Sequence, residues 1–127
     1  MIEEHKYNNY LFISIKEDGI YLNDTKIIDK KATQQIIIFK ELLKAHNKAI
    51  LECQPKNGKN WSELAAKLEK HSKHTVQEGQ IRQLIYFIRM NIKKSLKKNY
   101  EEIIYASEKQ YFLDKRVVLS NPLKEQN

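Results

Sequence analysis

The 127 residues suit one domain with a real core, since 41% of them are hydrophobic. The net charge of +7 bears on partners and solubility rather than on fold. The single cysteine, Cys53, excludes an intrachain disulfide and fits a reducing compartment; no apolar run approaches a membrane span, and Met1-Ile2-Glu3-Glu4 lacks the form of a signal peptide, so a cytoplasmic protein is expected.

Residues 1–9 are read as an N-terminal extension. Leu11-Phe12-Ile13-Ser14-Ile15 is apolar and rich in β-formers, Asp18-Gly19 is a hairpin signal, Ile20-Tyr21-Leu22 resumes the strand, and Asn23-Asp24 turns into a third strand ending at Ile28. Together these predict a small antiparallel sheet. Ile36, Phe39, Leu42 and Leu43 recur at three- and four-residue spacing, which predicts a helix from Lys31 to His46. In the connector that follows, Ala49-Ile50-Leu51 is read as a brief strand, and Pro55-Lys56-Asn57-Gly58 breaks the chain.

Asn60 with Glu63 three residues on has the form of a capping box, opening a helix to His71. Trp61 is expected to anchor that helix in the core. Residues 71–78 form a polar loop, and Gly79 to about Lys98 is the third and longest helix. Ile103–Ala106 and Tyr111–Leu113 form a hairpin, Arg116–Leu119 allows one more strand, and residues 120–127 are expected to be a flexible tail.

The third helix is the most informative segment. Residues 79–100 contain Arg82, Arg89, Lys93, Lys94, Lys97 and Lys98 and no Asp or Glu. At 100° per residue Leu84, Ile85, Ile88, Ile92 and Leu96 fall within about 60° of Ile81 and form the core face. Gln83, Tyr86, Met90, Lys93 and Lys94 lie opposite, with Arg82 and Phe87 on the flanks. A helix greasy on one side and cationic on the other suits an anionic, grooved partner, and double-stranded DNA is the commonest. Lys93, Lys94, Lys97 and Lys98 suit phosphates, while Gln83 and Arg82, with Tyr86, suit base edges. Arg89 and Met90 complete the helix's DNA-contacting set.

The chain resembles the OmpR/PhoB-type winged-helix effector domain of bacterial response regulators. Ile85-Tyr86-Phe87-Ile88-Arg89-Met90-Asn91-Ile92 matches that family's third-helix pattern, with Ile88-Arg89 in place of Leu-Arg. Ile103-Ile104-Tyr105-Ala106 followed by Gln110-Tyr111-Phe112-Leu113 matches its hairpin, and Tyr10 to Ile28 its opening sheet. The resemblance implies an α+β fold over residues 10–119: a winged helix-turn-helix with an N-terminal antiparallel sheet, three helices and a C-terminal hairpin wing. It implies a transcriptional regulator with the helix at 79–98 in the major groove, the 71–78 loop facing RNA polymerase or adjacent DNA, and the wing in the minor groove. Gln110 departs from the family's Gly, which gives the wing turn another shape. Phe112 stands where the family often has Arg, so Lys109, Lys115 or Arg116 is assigned the minor-groove contact. No receiver domain precedes Tyr10, as expected of a stand-alone regulator or a fragment of a longer one.

No enzyme, cofactor or metal is expected. Gly19, Gly58 and Gly79 do not build a phosphate loop, the carboxylates are scattered, and Lys70 and Lys73 oppose a cation at His71, His74 and Cys53. Two rival readings are a plasmid or phage replication initiator and a winged-helix adaptor that docks protein through Tyr86, Phe87 and Met90. Tandem half-sites would suit a homodimer or a partner regulator.

Overall fold

A computed structural model describes residues 10–54, 57–96 and 103–120. The predicted extension, most of the tail, Pro55-Lys56 and Lys97-Lys98 lie outside the described residues, as does the side chain of Leu96. The rest is α+β, with three helices and two small sheets around one core.

The front strands form as the hairpin signals predict: β1 (Leu11–Lys16), β2 (Gly19–Leu22) and β3 (Thr25–Asp29) make an antiparallel meander. Alternation aims Leu11 and Ile13 inward and leaves Phe12 exposed. A register shift between Ile20 and Tyr21 skips one residue of β3, and both Ile27 and Ile28 are buried there. Asn23 and Asp24 form the second turn at φ 48° and 72°, the left-handed region that Asn and Asp tolerate. The Asn23 carboxamide also accepts the Phe12 N–H at 3.0 Å.

On the rim of this sheet Lys26 bridges two carboxylates, Asp29 at 3.0 Å and Asp18 at 3.4 Å. The Tyr21 hydroxyl donates to Asp18 at 2.7 Å. That bond, followed by Lys26, holds the Asp18 carboxyl below its ordinary value of 3.8. Asp29 is lowered chiefly by the Lys31 backbone N–H, then by Lys26. Carboxyls lowered by folding stabilise the native state above their unfolded value and lose that contribution as pH falls through the folded one. The thermal midpoint should therefore drop as pH falls below about 4, and Asp18→Asn should flatten part of that drop. Melts at stepped pH check this; an unchanged acid limb in the variant would remove Asp18 from it.

The first helix, α1 (Thr33–Leu51), runs further than the periodicity predicts. Ala49-Ile50-Leu51 is its last turn, not a strand. The helix closes by a Schellman arrangement: the Cys53 N–H donates to Ile50 O at 3.2 Å and the Gln54 N–H to Ala49 O at 2.8 Å, with Cys53 at φ 54°. Glycine normally marks such a stop, and its absence hid this one.

A short strand, β4 (Lys59–Asn60), precedes α2 (Trp61–Ser72). Asn60 ends the strand and caps the helix. Its side chain accepts the Glu63 N–H at 2.9 Å, and the Glu63 carboxylate accepts the Asn60 N–H at 2.9 Å, which is the expected capping box. Trp61 is half-buried and packs on the core. After α2 the chain turns through Lys73 at φ 61°, and the buried Val76 donates its N–H to Glu69 at 2.8 Å.

The long helix α3 (Glu78–Leu96) leads to β5 (Ile104–Ser107) and β6 (Gln110–Leu113). β4 pairs with β6, giving a three-stranded sheet in the order β4-β6-β5. Gly58 makes that pairing possible: a Cβ there would stand 2.6 Å from both the Phe112 ring and the Tyr111 carbonyl. The last strand, β7 (Val117–Leu119), runs parallel to β1, with Leu11 opposite Val117 and Ile13 opposite Leu119. The front sheet is therefore four-stranded and mixed, in the order β3-β2-β1-β7, and not purely antiparallel as predicted.

Candidate nucleic-acid interface

The apolar stripe of α3 decides which side of the helix meets solvent. Ile81, Ile85, Ile88 and Ile92 are buried and Leu84 is half-buried. The opposite side presents Arg82, Gln83, Tyr86, Phe87, Met90, Lys93 and Lys94, all exposed. Tyr86, Phe87 and Met90 keep 56%, 43% and 44% of their surface, so they are not tucked under the front sheet. The Tyr86 and Phe87 rings lie 5.8 Å apart, tilted at 58°.

Two features depart from the helix as read from sequence. The helix begins at Glu78, so its first turn does carry an acid, 3.7 Å from Arg82. Both partners are well exposed, and such a pair yields easily to a stronger anion. The second departure is Arg89. It is half-buried at the border of the core stripe, and its guanidinium donates through Nε to Ile104 O at 2.8 Å and through Nη2 to the same oxygen. Arg89 clamps the first hairpin strand to α3 and is not displayed on the outward face with the other cations.

The hairpin tip lies by the N-terminal end of α3. Trp61, Glu78, Ala106, Lys109, Gln110 and Tyr111 line one shallow cleft there. Glu108 and Lys109 make a two-residue turn at φ 52° and 66°, so the bend falls one position before Gln110. This places the exposed Lys109 at the tip. Lys115 and Arg116 sit elsewhere, past the far end of β6 and beside the start of β1. Lys115 is exposed. Arg116 forms a two-pronged pair with Asp114, at 2.9 Å and 3.2 Å. Burial raises the Asp114 carboxyl, but the Arg116 side chain and backbone N–H outweigh it and the net direction is down. The structure thus brings Arg82, Gln83, Tyr86, Met90, Lys93 and Lys94 onto one surface with Lys109 near one end, and does not bring Lys115 or Arg116 to the hairpin tip.

Sequence reasoning missed the opposite flank. Gln34, Gln80, Gln83 and Phe87 line a cleft between the starts of α1 and α3 and the end of α2. Lys31, Gln34 and Gln35 line a neighbouring one with Leu84, and Asn91 of α3 donates to Gln35 of α1 at 3.1 Å. Lys31 is exposed just ahead of α1, not inside it. The Lys30-Lys31 pair immediately before a helical pattern was the available signal.

The surface offers cationic donors at its ends, an amide among them, and an apolar centre. Among the described residues no group of three or more His, Cys, Asp or Glu side chains is placed to hold a metal ion. Among them, too, no helix is long and apolar enough to cross a membrane. Comparison with protein-family models, curated proteins and solved structures finds no match to this chain.

Proposed function

We propose that this chain is a winged-helix protein that binds double-stranded DNA with α3 in the major groove, serving as a bacterial-type transcriptional regulator. The observation that carries the reading is the outward face of α3, where Arg82, Lys93 and Lys94 bracket Gln83, Tyr86 and Met90, all of them exposed. The element order supports it: helix, short strand, helix, helix and hairpin, with β4 completing the hairpin's sheet, is the layout of a winged helix-turn-helix. On this reading Lys93 and Lys94 neutralise phosphates, Gln83 and Arg82 with Tyr86 meet base edges, and Lys109 approaches the minor groove from the hairpin tip. On the same reading the 71–78 loop, where His74 and Thr75 are exposed, meets RNA polymerase or adjacent DNA.

The test is fluorescence anisotropy with a random-sequence duplex titrated across salt. Affinity should fall steeply as salt rises, and Lys93→Ala with Lys94→Ala should flatten the log–log slope by about 1.8, close to 0.9 for each phosphate no longer neutralised. An unchanged slope would remove these lysines from the interface. The exposed Tyr86, Phe87 and Met90 favour one other reading, a protein-docking adaptor. Absence of duplex binding at low salt would give it the lead.

A further inference from the structure

We infer that the outward face of α3 selects A·T-rich major grooves, reading thymine through its 5-methyl group rather than guanine through arginine. The inference rests on the DNA-binding reading above and adds what that site recognises.

Arginine is the commonest reader of guanine, because its fork matches the O6 and N7 acceptors. Among the described residues α3 carries two arginines, and the structure removes one: Arg89 is held by Ile104 O. The remaining one, Arg82, sits on the flank near the start of the helix, so it supplies a base contact at the edge of the site and not at its middle. The middle of the face holds Gln83, Tyr86 and Met90, with Phe87 on the flank away from Arg82, so one amide stands among three large, mostly apolar groups. A helix in the major groove reaches base edges with three or four side chains, mostly from its N-terminal half; Gln83, Tyr86 and Phe87 fall there, and Met90 follows one turn after Tyr86 on the same face.

Of the groups that base pairs show in the major groove, the thymine C5-methyl is the apolar one. Gln83 pairs two-pronged with adenine N6 and N7. Met90 and the aromatic pair gain by covering methyls and lose where they cover guanine O6 or the cytosine amine, because those groups are then desolvated without partners. Both effects favour A·T. Lys93 and Lys94, one turn further on, meet phosphates and set affinity without choosing sequence.

The full chain is used to select duplexes from a random pool near physiological salt. The winning site is then resynthesised with deoxyuridine in place of thymidine, one position at a time, which deletes only the methyl. The inference expects an A·T-rich core and about a fourfold weakening for each contacted methyl, with an unchanged salt slope. Met90→Ser should abolish the discrimination at one thymidine and leave the others. A G·C-rich core, or equal affinity for every deoxyuridine duplex, would overturn the methyl reading and leave DNA binding intact. Absence of binding to any pool at low salt would overturn both.

Discussion

Gly19→Ala is expected to cost about 3 kcal/mol or more and to lower the thermal midpoint by about 12 °C or more. Gly19 sits at φ +147°, a backbone conformation that a residue with a Cβ rarely adopts. A Cβ there would lie 2.2 Å from Ile28 O, 3.2 Å from Ile28 C and 3.3 Å from the Asp29 Cα. All three are backbone atoms of β3, and Gly19 is paired with Asp29 and with Lys16 in the same sheet. β3 cannot retreat without opening the ladder, and α3 packs against it. Gly79→Ala is the control: nothing lies within 4 Å of its Cβ position, and it stands in the first turn of α3. It should be neutral or stabilise by up to about 1 kcal/mol. Thermal or urea melts of both variants decide the matter; similar midpoints for the two would refute the close-packing account of Gly19.

Arg89→Met should cost about 1–3 kcal/mol in stability while leaving the salt dependence of the proposed DNA binding untouched. Methionine keeps much of the bulk but removes both donors to Ile104 O. Ile104 is fully buried, and among the described residues β5 is the outer strand of its sheet, with no further strand to satisfy that carbonyl. Arg89→Lys should recover part of the loss, since one donor remains. Had Arg89 been a phosphate ligand, the result would be the reverse: a salt slope smaller by about 0.9 and little change in melting. Anisotropy and melting on the same preparations separate the two roles.

What could be read from the sequence, and what could not, follows the range of the interactions concerned. The Asn60–Glu63 capping box and the Ile81–Ile92 stripe are local, encoded within one or two turns, and both appear as expected. The Asn23-Asp24 turn is local too. The end of α1 is equally local but uses Cys53 at a left-handed position, so the usual residue signal is missing. Arg89 lies at the edge of the apolar stripe, where periodicity does not separate a surface cation from one folded back onto a carbonyl 15 residues away. The partner of β7 was beyond any local pattern: Val117-Val118-Leu119 has the composition of a strand, but nothing in it names β1. Lys31 had a local signal in the Lys30-Lys31 pair, but its place beside Leu84 of α3 follows only from the packing of α1 on that helix.

The pairing of β7 with β1 has a consequence for how the chain is made. The hydroxyls of Ser14 and Ser120 meet at 2.6 Å although 106 residues separate them. During synthesis at about 5–20 residues per second, β1 emerges first and waits on the order of ten seconds for its last neighbour. Over that interval its free edge, which includes Leu11 and Ile13, is open to any passing strand. Closing so long a loop also carries an entropic cost that is recovered only when the final strand docks, which places this pairing late in folding. A released chain truncated before Val117 should therefore be more prone to aggregate than its helices suggest, and extending it through Leu119 should restore its solubility.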